Sequence, residues 1–174
     1  SISNSEAEKF ARLLLIHKEV EAVGLGARDS LRLESGLCLY GHELSEDISP
    51  VEAGLIWSIS KSRRLAGVKQ GGFLGAERIL EQIQTGASIK RVGLKIDGRV
   101  AAREGAELVS EDGSRIGEVS SGGFGPTIGS PVAIAYVQKE FAEVGTELQA
   151  VVRNKKLAAS VCKLPFVPQS YYRK

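Results

Sequence analysis

The chain has 174 residues, 23 Lys and Arg against 21 Asp and Glu, a formal net charge of +2, and 43% apolar residues. That length allows one domain or two small ones, and the near-balanced charge excludes nucleic-acid binding by bulk electrostatics. No apolar run reaches the roughly 18 residues that a membrane span needs, so neither nucleic acid nor a membrane is expected as a partner. The two cysteines and two histidines are scattered without CxxC spacing, and no metal site is expected from them. Cys38 and Cys162 read as buried thiols of a reducing compartment.

In chain order, Ser5-Glu6-Ala7-Glu8 has the pattern of a capping box, in which a serine caps the first turn and a glutamate reaches back. It predicts a helix with Ala7, Phe10, Ala11, Leu14 and Leu15 on one face. His17 falls near the C-terminal end, where it suits the helix dipole better than a catalytic role. Next comes a stretch from Gly24 to Gly41 that packs Arg28, Asp29, Arg32 and Glu34 close together, with Leu31 and Leu33 between them. Gly36 stands where a left-handed C-cap would. Two readings are open: a short salt-bridged surface helix, or a core-anchored turn that brings an arginine to an anionic group.

Ser49-Pro50 predicts another helix start, with serine as cap and proline in the first turn. Leu55, Ile56, Trp57 and Ile59 are too continuous for a surface helix and predict burial or a strand. Lys61, Arg63 and Arg64 form a basic cluster before the glycine-rich loop Gly67 to Gly72. Gly75 to Ile83 predicts a short amphipathic helix, ended by Gly86.

From Ser88 the period changes. Val92, Leu94 and Ile96 alternate with Arg91, Gly93 and Lys95, the spacing of a strand. Asp112-Gly113 predicts a hairpin turn between Glu107–Ser110 and Arg115–Val119. Ser120-Ser121-Gly122-Gly123 lacks the spacing and lysine of a phosphate loop and predicts a turn between two strands. Ser121 has no adjacent histidine to activate it as a nucleophile. Pro131 to Val137 is apolar nearly throughout, and Leu148–Arg153 with Leu157–Lys163 flank Asn154-Lys155-Lys156 as a predicted last hairpin. Five or six such strands predict a small antiparallel barrel or sandwich. The expected fold class is α+β, divided near residues 86–88 into parts 1–86 and 87–174.

Four ordered stretches carry a resemblance. They are Gly24-Leu-Gly-Ala-Arg28-Asp29-Ser-Leu-Arg32-Leu-Glu34 through Tyr40-Gly41, Ser49-Pro50 through Trp57, Ser120-Ser-Gly-Gly-Phe124-Gly-Pro126, and Leu164-Pro165-Phe166-Val167-Pro168 followed by Tyr171-Tyr172. Together they resemble the aminomethyltransferase (T-protein) family of the glycine cleavage system, over its C-terminal half only. The resemblance implies the end of an α+β folate-binding body followed by a small antiparallel β-barrel domain. It implies tetrahydrofolate as one-carbon acceptor, no metal, and a lipoylated carrier, the H-protein, as partner. The implied reaction releases ammonia from an aminomethyl group on the lipoyl arm and forms 5,10-methylenetetrahydrofolate.

By motif, Arg28 falls at the family's folate-contacting position, where a guanidinium suits an anionic carboxylate. Arg32 is expected as the structural partner of the neighbouring carboxylates. Tyr171 matches the first tyrosine of the family's terminal pair, with an apolar face and a hydroxyl fit for the edge of a folate pocket. No catalytic residue is expected in this chain, because the family's acid–base aspartate belongs to its N-terminal half. The chain begins at Ser1 and contains no methionine, so a fragment is expected, inactive alone, with the missing N-terminal half as a further partner. Two alternatives stay open: another folate-dependent relative, such as a demethylase or a dimethylglycine or sarcosine dehydrogenase domain, or a non-catalytic folate-binding or interaction module. The basic cluster at Lys61, Arg63 and Arg64 is either a solvated face or a contact for an acidic carrier. The stretch Gly71 to Gly75 resembles bacterial members and implies the cytoplasm, with the mitochondrial matrix as the alternative.

Overall fold

The structure, a computed structural model, describes residues 1–172. Helices α1 (Asn4–Leu15), α2 (Leu25–Glu34) and α3 (Ala76–Thr85) come first, with short 3₁₀ turns at Ile56–Ser58 and Lys61–Arg63 between α2 and α3. Six strands follow: β1 (Ile89–Ile96), β2 (Glu107–Val109), β3 (Arg115–Gly125), β4 (Ser130–Gln138), β5 (Glu147–Val152) and β6 (Lys155–Cys162). They close into an antiparallel barrel in the order β1-β4-β3-β2-β5-β6. Closure leaves no unpaired strand edge. The α+β class with a small barrel is what the sequence led one to expect.

The inside of the barrel is filled by Leu94, Leu108, Val119, Val137, Leu148 and Val161, each at most 3% exposed, with small alanines between them. Burying a side chain of this kind is worth about 1.5–3 kcal/mol. Strand β4 reads as apolar nearly throughout because both of its faces are covered. Ala133, Ala135 and Val137 point into the barrel, while Val132 and Ile134 meet Leu33 of α2 on the outside, with Ile128, Leu164 and Phe166 packed against them. Thus α2 lies on β3 and β4.

The last hairpin turns one residue earlier than expected, on Arg153 and Asn154, both left-handed at φ 48° and 63°, while Lys155 and Lys156 already belong to β6. Two residues of that conformation match the twist of the flanking strands. Helix α3 ends as expected at Gly86, whose φ of 86° only glycine adopts easily.

Four local expectations need correction. Ser5 and Glu8 form no capping box: α1 starts at Asn4, with Ser3 as an N-cap whose hydroxyl meets Ser5 Oγ at 3.1 Å and caps no backbone N–H. Glu8 is drawn instead to Arg12 one turn on, at 2.7 Å. Ser49-Pro50 starts no helix. The reciprocal bonds of a capping box do form, Ser49 N–H to Glu52 Oε2 at 2.7 Å and Glu52 N–H to Ser49 Oγ at 3.2 Å. The chain leaves that single turn at Gly54, φ 69°.

Leu55, Ile56, Trp57 and Ile59 are neither buried nor in a strand. They run through a 3₁₀ turn, and Trp57 is 75% exposed, since no described element covers this apolar run. Ser120 to Gly123 form no turn but lie inside β3, paired with β4. Their glycines mark close packing rather than reversal: a Cβ on Gly122 would collide with the carbonyl oxygen of Ala102. The chain reverses later, between Gly125 and Ser130.

Candidate functional site

The last turn of α2 is bound into the barrel by two charged residues. Arg32, 9% exposed, gives its Nε–H to Asp29 Oδ1, one Nη–H to Glu43 Oε2 and the other to Ser121 Oγ, each at 2.8 Å. Glu43 is fully buried. Its Oε1 accepts from Ser120 Oγ at 2.8 Å, its Oε2 also from Leu39 N–H at 3.0 Å, and its carbonyl from the Tyr136 hydroxyl at 2.7 Å. Burial raises the Tyr136 hydroxyl pKa well above its ordinary value, keeping it a donor. A buried ion pair is tolerated only when its remaining donors and acceptors are satisfied, as these are.

Ser120 and Ser121 are adjacent, and in a regular strand they would point to opposite faces. Here the β3–β4 register shifts between Val119 and Ser121, so Ser120 is an extra residue. Such a bulge re-aims side chains, and both hydroxyls reach the same ion pair.

Glu34 performs a second join. Its carboxylate accepts from Thr127 N–H and Thr127 Oγ1 at 2.8 Å and from Ile128 N–H at 3.1 Å. Its carbonyl accepts from Phe166 and Val167 N–H at 3.0 and 3.1 Å. The β3–β4 turn and the C-terminal segment therefore meet at the end of α2. Arg91 on β1 adds a third tie, donating to the carbonyls of Ala53 at 2.7 Å and Gly36 at 2.9 Å. Gly36 has the expected C-cap geometry: φ is 64°, and Leu37 N–H reaches back to Arg32 O at 2.9 Å.

These joins leave a shallow concavity of about 230 Å³ between Leu31, Thr127 and the segment Val167 to Tyr171. Tyr171 is half-exposed on its rim. Arg28 is exposed on α2, three residues before Leu31, so the two are neighbours on the helix surface. Among the described residues the Arg28 side chain has no hydrogen bond or ion pair. The two carboxylates nearest it in sequence are engaged elsewhere, Asp29 by Arg32 and Glu34 by Thr127 and Ile128.

Arg32 has the structural role expected of it, with Glu43 rather than Glu34 as its second carboxylate. Glu43, Ser120, Ser121 and Thr127 were not singled out as partners of α2, because no periodicity or spacing ties Glu43 to β3. The basic cluster is largely spent within its own loop: Arg63 donates to Gly71 O at 3.0 Å and Gly72 O at 3.2 Å, and Arg64 to Ile59 O at 2.9 Å. Cys38 and Cys162 are free thiols, half-buried rather than buried. Desolvation raises both above the ordinary thiol pKa, so neither is a ready nucleophile. No group of His, Cys, Asp and Glu suited to a metal ion occurs among the described residues.

The barrel strands and the C-terminal segment, residues 90–168, match the family model of the glycine cleavage T-protein C-terminal barrel domain. Residues 2–63 match the GCVT N-terminal domain. The chain therefore belongs to the glycine cleavage T-protein family. It is 48% identical over 175 aligned positions to the mitochondrial aminomethyltransferase of Flaveria trinervia and 45% identical to that of Pisum sativum, covering 99% of this chain and 42% of each relative. The solved aminomethyltransferase T of the glycine cleavage system from Bartonella henselae superposes with a TM-score of 0.89 at 46% identity, over 97% of this chain and 46% of that one. The chain thus spans about two-fifths of the length of these curated relatives. The expectation of a bacterial cytoplasmic protein is overturned: the curated relatives, from plants to Schizosaccharomyces pombe, are named mitochondrial. The glycine-rich stretch behind that expectation is a loop that Arg63 holds closed, and such a loop carries no information about compartment.

Proposed function

We propose that this chain is the folate-facing C-terminal portion of a glycine-cleavage aminomethyltransferase of the mitochondrial matrix. The whole protein would take an aminomethyl group from the lipoyl arm of a carrier H-protein, release ammonia and form 5,10-methylenetetrahydrofolate. Arg28 binds an anionic carboxylate of the folate, and Tyr171 borders the pterin-bearing pocket. The observation that carries this reading is an exposed guanidinium with no side-chain partner among the described residues, while the two carboxylates nearest it in sequence are bonded to other groups. An arginine left free in this way is available for a bidentate carboxylate.

The same observation favours the second reading for the chain by itself, a binding module without the chemistry. The carboxylates of Asp29, Glu34 and Glu43 are all engaged in structural hydrogen bonds, so none of the three is free to move a proton at the folate nitrogen. The acid–base group and the rest of the pocket come from the remainder of the protein. The relatives' name, aminomethyltransferase, supports transfer over demethylation or a dehydrogenase-associated role. The division of the chain at 86–88 belongs to this proposal, supported by Gly86 ending α3 and β1 beginning at Ile89.

Aminomethyl transfer from a loaded carrier to tetrahydrofolate tests the reading. The complete protein is expected to turn over and the 174-residue chain to stay at the uncatalysed rate. Turnover by the chain alone would overturn it, and carrier-independent folate chemistry by the complete protein would favour a different folate-dependent relative.

A further inference from the structure

Helix α2 is unequally held along its length. Its last turn, Arg32 to Glu34, is buried, whereas Leu25 to Asp29 are exposed. The first turn is weak by itself: Gly24 is an N-cap that offers no side-chain bond, and Gly26 adds a residue with a large entropic cost of ordering. Ser30 bonds only back to Gly26 O, at 3.0 Å. Among the described residues, the one side-chain bond from this exposed half to the buried anchor is Asp29 Oδ1 to Arg32 Nε–H, at 2.8 Å. Arg32 cannot follow a moving partner, because Glu43 and Ser121 hold its other two nitrogens.

We infer that Asp29 is a positioning residue for Arg28, acting through the fixed Arg32–Glu43 pair; the inference rests on the folate-facing reading of Arg28. Asp29 does this in two ways. It ties the turn that carries Arg28 to a guanidinium anchored in the barrel, so Arg28 meets its ligand at little ordering cost. And because Arg32 occupies the Asp29 carboxylate, that carboxylate does not neutralise the adjacent Arg28.

The test is a double-mutant cycle on Arg28 and Asp29 in the complete protein, read as separate KM values for tetrahydrofolate and for the aminomethyl carrier, kcat and Tm. Asp29→Ala is expected to raise the tetrahydrofolate KM about tenfold, with kcat, the carrier KM and Tm nearly unchanged. Asp29→Asn keeps an acceptor oxygen and is expected to recover most of that loss; it also serves if the alanine variant folds poorly. On an Arg28→Ala background, Asp29→Ala is expected to add nothing. An Arg28→Ala effect with a silent Asp29→Ala, or with fully additive effects, overturns the inference and leaves the folate-facing reading standing. A silent Arg28→Ala overturns both. A fall in Tm without a change in tetrahydrofolate KM reduces Asp29 to an ordinary structural ion pair.

Discussion

The barrel and the first helix obey the same periodicity rule with opposite results. Along the strands, apolar residues at every second position end inside a closed cylinder, and Leu94 and Leu108 are wholly buried. Along α1, apolar residues at helical spacing are left uncovered among the described residues, and Phe10, Leu13, Leu14 and Leu15 stay 43–56% exposed. An amphipathic pattern is an instruction to be covered, and only a partner carries it out. Helix α2 stands between these cases, with a last turn packed on the barrel and a first turn in the open.

If α2 is held by its buried charges as strongly as by apolar packing, Glu43→Ala should be the costliest of the changes considered. It strands Arg32 without its buried carboxylate, and about 3–5 kcal/mol of stability should be lost in urea unfolding. A loss under 1 kcal/mol would mean that water reaches Arg32, and the contrast between the two ends of α2 would collapse. A smaller effect belongs to the turn at Ser49. There burial opposes ionisation of Glu52, but bonds from Ser49 N–H, Gln82 and Arg78 outweigh it and lower the carboxyl pKa below its ordinary 4.5. A carboxylate with a lowered folded pKa stabilises fully above the unfolded value, and that stability is lost as pH falls through the folded one. The unfolding midpoint should therefore drop as pH falls below 4.5, and Glu52→Gln should flatten that part of the profile. The smallest effect is expected at α1, where Leu14→Ser in the 174-residue chain should change stability by no more than about 0.5 kcal/mol. The same change in the complete protein should cost more, if the rest of the body covers that face.

The barrel was legible in the sequence because its signals are local. Period-two alternation, Asp112-Gly113 and the polar break at Asn154 mark the strands and turns to within a residue or two without reference to distant residues. Ser120 to Gly123 misled because glycine serves both turns and close packing, and only the Ala102 carbonyl against Gly122 tells which. Trp57 misled because an apolar run predicts burial, and no described element covers this one. At the site, Arg28 and Tyr171 came from motif resemblance, whereas the Glu43 anchor had no sequence signal. Its partners on β3 lie more than seventy residues away, 77 positions for Ser120, and a one-residue bulge brings two neighbouring serines to the same side.

The measurement closest to the central claim is the affinity of the complete protein for tetrahydrofolate before and after Arg28→Ala, taken by calorimetry alongside Tm. A guanidinium that binds a carboxylate should be worth about 1.5–3 kcal/mol, so affinity should fall by one to two orders of magnitude with Tm unchanged. Equal affinity in both proteins would contradict the account and leave Arg28 an exposed surface charge.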